Sequence, residues 1–125
     1  MFALIAPPVQ AQTQMELNAN ACAAYQEADA ELNAVYKRIF AEYKDDAVFL
    51  GKLRTAQRAW IAYRDAHLEA RFPEPNKQQA YGSIYQTCSC DVLRDVTAQR
   101  TATLRAWLDG AEEGDTCSGS IRIKP

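Results

Sequence analysis

Three long segments of this chain repeat apolar residues at spacings of three, four and seven, and no stretch before the tail alternates like a strand. The first runs from about Met15 to Lys44 and carries Cys22, Tyr25, Leu32, Tyr36, Phe40 and Tyr43 on one face. The second runs from about Asp46 to Phe72, with Phe49, Leu53, Ala56, Trp60 and Leu68 as its stripe, and prolines 73 and 75 stop it. After the loop "PEPNKQQAYGS", Ser83 offers an N-cap to a third helix that reaches Asp109, with Gly110 as its C′ residue. Its stripe is Tyr85, Val92, Val96, Thr103 and Trp107. Three such segments predict an all-α, antiparallel three-helix bundle, running up, down and up.

At 125 residues one domain accommodates all three helices, and such a chain buries a hydrophobic core without a structural metal. The 14 basic and 16 acidic residues are dispersed, so no basic stripe exists to neutralise a phosphate backbone, which argues against a nucleic-acid partner. No apolar run approaches the roughly 20 residues of a membrane span. Residues 1–12, "MFALIAPPVQAQ", are apolar and then small, like the end of a secretory signal peptide, although the basic leading region is missing. The expected organisation is a signal-peptide remnant over 1–12, a helical domain over 13–109 and a polar, glycine-rich tail over 110–125. That tail has little to bury, and Cys117 is the residue expected to tie it down.

The apolar faces carry polar intruders. At 100° per residue Arg64 falls on the stripe of Leu53 and Trp60, whereas Arg58, Asp65 and Glu69 point away. An interior arginine needs a partner. Asp29 lies mid-stripe in the first helix with Asn33 one turn on, so Arg64 is expected to meet Asp29. Gln57 shares the inward line with Trp60 and Arg64, and Thr97 and Arg100 lie near the apolar face of the third helix. Asp29, Asn33, Gln57, Arg64, Thr97 and Arg100 thus form a candidate buried polar set. Mutual satisfaction inside the bundle is the simplest role for it.

The same residues carry a resemblance. "LNANACAAYQEADAELNAVY" (17–36), "LRTAQRAWIAYRDAH" (53–67), "GSIY" (82–85) and "VTAQRTATL" (96–104) resemble the lysozyme-inhibitor LprI-like domain family of small secreted bacterial proteins. The match covers about residues 15–108, and its motif positions here are Asp29, Asn33, Tyr36, Gln57, Trp60, Arg64, Asp65, Thr97 and Arg100. The resemblance implies an all-α, envelope-located domain whose best-known member inhibits lysozyme. Family members commonly place cysteines where this chain has Leu68 and Val92, so its disulfide pattern is partly its own.

Four cysteines, Cys22, Cys88, Cys90 and Cys117, suit two disulfides in an oxidising compartment. In an up-down-up bundle Cys22 lies at the same end as Cys88 and Cys90, which are about 200° apart around their helix, so angle alone does not choose between them. From Leu108, nine extended residues reach about 30 Å, enough for Cys117 to return to that end if taut. The expected pairs are Cys22 with Cys88 and Cys90 with Cys117, giving a disulfide-tethered tail.

Together these features predict a periplasmic or secreted, non-enzymatic binding protein that needs no cofactor and no metal. Its expected partner is a protein, with lysozyme the first candidate. The loop residues Glu74, Lys77, Tyr81 and Ser83 are the candidate contact set, and the acidic segments Asp45–Asp46 and Glu112–Asp115 would attract a basic lysozyme. A structural or adaptor role in the cell envelope is the alternative. A thiol or metal site at Cys88 and Cys90 with His67 is remote, because the C-x-x-C spacing and further ligands are missing.

Overall fold

The computed structural model describes residues 13–125; the expected signal-peptide remnant, 1–12, lies outside the described residues. The described chain is all-α, with α1 (Gln14–Glu42), α2 (Ala47–Arg71), α3 (Lys77–Tyr81) and α4 (Tyr85–Asp109), plus one isolated bridge between Ala111 and Ile123. Each of the first three helices starts at a residue whose side chain accepts an otherwise orphaned backbone N–H. Thr13 accepts from Glu16 N, Asp46 from Phe49 N and Asn76 from Gln79 N. The short α3 replaces part of the expected loop, and Asn76 is the cap that starts it. Ser83 is not an N-cap: Ile84 occupies that position and makes no side-chain cap hydrogen bond.

Contacts at the helix ends set the topology. Gln14 and Asn18 hydrogen-bond to Thr87 and Gln86, and at the far end the Tyr43 hydroxyl donates to Trp107 O at 2.8 Å, so α1 and α4 run in the same direction. Phe49 stacks on Trp107 at 5.5 Å while Phe72 meets Tyr85 edge-on at 5.4 Å, so α2 returns between those ends. Backbone approach is close between α1 and α4 along their length and sparser between α2 and α4.

The buried core joins Leu32, Val35, Ile39 and Tyr43 of the α1 end with Phe49, Leu53 and Trp60 of α2 and Leu104 of α4. In α1 Leu32 and Tyr43 of the expected stripe are buried, but the rest of the face is rotated from the expected one. Val35 and Ile39 are inside, whereas Tyr36 and Phe40 pack half-buried at its margin. In α4 the buried residues are Cys90, Val96, Thr97, Thr101 and Leu104, and the expected Thr103 is exposed, as is Ala56 in α2.

One disulfide forms, Cys22–Cys90, with Cα atoms 5.0 Å apart, while Cys88 is a half-buried free thiol and Cys117 an exposed one. The expected Cys22–Cys88 and Cys90–Cys117 pairs are therefore corrected. Cys90 faces α1, and Cys88, two residues away around the helix, faces α2.

The tail is held by Arg122 and not by Cys117. The Arg122 guanidinium sits 4.2 Å from the Tyr43 ring centroid, donates to Glu42 O and pairs with Asp45 at 2.9 Å. Backbone bonds from Ala111 N to Arg122 O and from Lys124 N to Ala111 O close the loop, and Trp107 Nε1 donates to Ser120 Oγ. Gly110 makes this return possible at φ +82°, where a Cβ would lie 3.0 Å from Lys124 Cγ and 3.1 Å from Arg122 O.

Alkylation of the unfolded, unreduced chain is expected to label two of the four cysteines, Cys88 and Cys117, as read by peptide mass spectrometry. Because the Cys22–Cys90 bridge spans 68 residues, reducing it is expected to lower the unfolding free energy by up to about 4 kcal/mol in a denaturant titration. Labelling at Cys22 or Cys90 would contradict the pairing.

Candidate functional site

Three polar groupings border the apolar core, and the second of them reaches into the buried interior. The first surrounds Arg64, whose side chain is 19% exposed and lies against the Trp60 ring, 5.6 Å from its centroid. Its Nε donates to Asp65 Oδ1 at 2.9 Å, not to Asp29. The expected Arg64–Asp29 contact is replaced because α1 and α2 hardly approach through their backbones, and the neighbouring carboxylate is nearer. Asp29 accepts from Asn33 Nδ2 at 3.4 Å and reaches Arg64 only through its field. Burial works against the charged guanidinium, but the bond to Asp65 and the nearby Tyr25, Asp65 and Asp29 outweigh it and raise its pKa.

The second grouping lies between α2 and α4. Arg100 Nε donates to Gln57 Oε1 at 3.0 Å, and with a neutral partner its pKa is lowered by burial. Thr97 beside it is fully buried, and its Oγ1 has no hydrogen-bond partner among the described residues. Thr101, one turn on, is also buried and donates to Thr97 O at 3.1 Å. Of the expected buried polar set, Thr97 alone is buried; Asp29, Gln57, Arg64 and Arg100 are half-buried and Asn33 is exposed. Thr101 was missed, although its place four residues after Thr97 puts it on the same face.

The third is the connection from α2 to α4. Lys77 Nζ bonds to Glu69 at 2.9 Å and to Phe72 O. Tyr81 packs against Phe72 and Tyr85, and its hydroxyl accepts from Glu74 N. Of the candidate contact residues, Lys77 and Tyr81 therefore hold the loop together, while the Glu74 and Ser83 side chains remain exposed.

Beside these, an open cleft of about 520 Å³ separates α2 from α4. Tyr63, His67 and Arg71 form its α2 wall, and Asp91, Asp95 and Gln99 form its α4 wall. Phe72, Val92, Val96 and the Cys88 sulfur complete the lining. His67 and Cys88 thus share a cleft, but Cys90 is consumed by Cys22, so "CSC" is not a two-thiolate motif. No cluster of three or more His, Cys, Asp or Glu side chains among the described residues is arranged to hold a metal ion.

A family model described as lysozyme inhibitor LprI matches residues 6–104. The chain belongs to the LprI lysozyme-inhibitor family. An uncharacterized protein of Rhizobium meliloti (strain 1021) is 37% identical over 114 residues, covering 82% of this chain and 79% of its own length. No solved structure matches the chain. The LprI match takes in Arg64, Gln57, Thr97 and Arg100 but ends before the tail that Arg122 anchors. No helix among the described residues is long and apolar enough to cross a membrane.

The orphaned Thr97 hydroxyl makes a direct test of the polar layer. Thr97→Val keeps the shape and removes a polar group without a partner, so unfolding free energy is expected to stay level or rise by about 1 kcal/mol. A loss of more than about 1 kcal/mol in chemical denaturation would mean that the hydroxyl is satisfied after all.

Proposed function

We propose that this chain is a secreted or periplasmic binding protein that inhibits lysozyme by contact and catalyses no step itself. The observation that carries this reading is the LprI family match over nearly the whole helical domain. A disulfide that staples α1 to α4 supports residence in an oxidising compartment.

Lysozyme works through two carboxylates set in a cleft, so a rigid protrusion that occupies the cleft suffices to block it. The Glu74–Ser83 connection suits that role. Its shape is fixed by the Lys77 clamp and the Phe72–Tyr81–Tyr85 ring cluster, so docking costs little ordering entropy. Glu74 and Ser83 then present an acceptor and a hydroxyl to the partner. Of the acidic segments, Asp45 is paired with Arg122 and Glu112 with Lys124, but all four groups are exposed, so their role is to steer encounter and not to anchor.

The test is a turbidity assay of bacterial lysis by lysozyme. The protein is expected to slow lysis saturably, and Glu74→Ala combined with Ser83→Ala is expected to weaken inhibition about tenfold, the loss of roughly 1.4 kcal/mol of contact. No slowing at a large molar excess would refute inhibition. Full inhibition by the double variant would refute the loop as its surface.

A further inference from the structure

We propose that the cleft between α2 and α4 binds an oligosaccharide of pyranose sugars, a site separate from the Glu74–Ser83 loop. The sequence builds it from two ladders with the same spacing. Tyr63, His67 and Arg71 recur every four residues on α2, and Asp91, Asp95 and Gln99 recur every four on α4. Each ladder spans eight residue steps, about 12 Å of helix, and the two helices run in opposite directions. A second depression, lined by Trp60, Arg100 and Thr103, shares Tyr63, Val96 and Gln99 with the first and extends the groove.

Opposite charges face each other here without closing over the space. Among the described residues no ion pair crosses the cleft: Asp91 and Asp95 both turn to Arg94 on their own helix, at 3.8 and 3.0 Å. Each carboxylate keeps unused lone pairs, and Arg71 keeps its donors. Tyr63 is 55% exposed, and its ring lies over His67 with centroids 5.5 Å apart and planes 26° apart, forming an aromatic platform at the groove's wall.

Those features select the ligand. A free anion is disfavoured by Asp91 and Asp95, and a metal cation finds no cluster of three ligating side chains among the described residues. A partner helix would need a continuous apolar groove, whereas here Phe72, Val92 and Val96 lie between two walls of polar and charged side chains. A sugar ring is neutral, offers an apolar C–H face to an aromatic ring, and carries hydroxyls that donate to carboxylates while accepting from guanidinium and amide groups. A chain of such rings fits an elongated, open groove.

The experiment is an amide NMR titration of the full chain with two probes, the β-linked tetramers of N-acetylglucosamine and of glucose. Saturable shifts centred on Tyr63, His67, Asp95 and Gln99 with either tetramer support the site, and the difference between the two shows whether the acetamido group is read. Tyr63→Ala is expected to weaken binding at least tenfold and Tyr63→Phe to restore it, with the far-ultraviolet spectrum confirming that both remain helical. No shift at millimolar sugar, or equal binding by Tyr63→Ala, overturns the proposal. Shifts at these residues with lysozyme but with neither sugar would overturn it too, making the cleft a protein-docking surface. Loss of lysozyme inhibition alone leaves the sugar result standing, so the two readings fail separately.

Discussion

Two parallel helices far apart in sequence are tied at both ends, and the remaining structure is laid against that pair. At one end the link is covalent, Cys22 to Cys90, with Gln14 hydrogen-bonded to Thr87 and Asn18 to Gln86 beside it. At the other, the buried Tyr43 hydroxyl donates to Trp107 O and accepts from Arg122 N, while its ring receives the Arg122 guanidinium. One tyrosine thereby joins α1, α4 and the tail. The interior between these ties is mainly apolar, with Leu32, Val35, Ile39 and Leu104 nearly excluded from water and Thr97 and Thr101 buried as polar exceptions.

The second helix is attached differently. It reaches the pair through large side chains, Phe49 on Trp107, Leu53 and Trp60 in the core, Arg54 over Phe40 and Gln57 with Arg100. Bulky residues hold the backbones apart, which explains both the missing Arg64–Asp29 contact and the open cleft. Spacing that would be a packing defect in a plain bundle here leaves room for two polar walls. The connection to α4 is in turn braced by Lys77 and the aromatic cluster, so the exposed loop is stiff where many loops are not.

Much of this frame was legible in the residues. The bounds of α2 follow from Asp46 as a cap and the prolines after Phe72, both local signals that tertiary contacts did not override. The phase of α1 was less so. Leu32 and Tyr43 of the expected stripe are buried, but Tyr36 and Phe40 settle at the core margin, and the purely aliphatic Val35 and Ile39 fill the centre in their place. The expected partner of Cys22, Cys88, is the wrong one of two candidates that flank the apolar face from opposite sides, because only the rotation of α4 decides between them. The tail looked as if it needed a disulfide, since Arg122 meets Tyr43 across 79 residues of chain and leaves no local pattern. Of the candidate functional residues, Lys77 and Tyr81 were legible as a loop but not as its internal braces. The Tyr63–Arg71 and Asp91–Gln99 ladders became visible once α2 and α4 were side by side.

The central claim is that α1 and α4 form the stable frame and α2 is the more loosely held element. Native-state hydrogen exchange measures this directly. The account predicts that core amides of α1 and α4 exchange only through global unfolding, while those of α2 exchange through a smaller opening that leaves the Cys22–Cys90 pair of helices intact. Equal protection across α2, or separation of α1 from α4 before α2 is released, would contradict it.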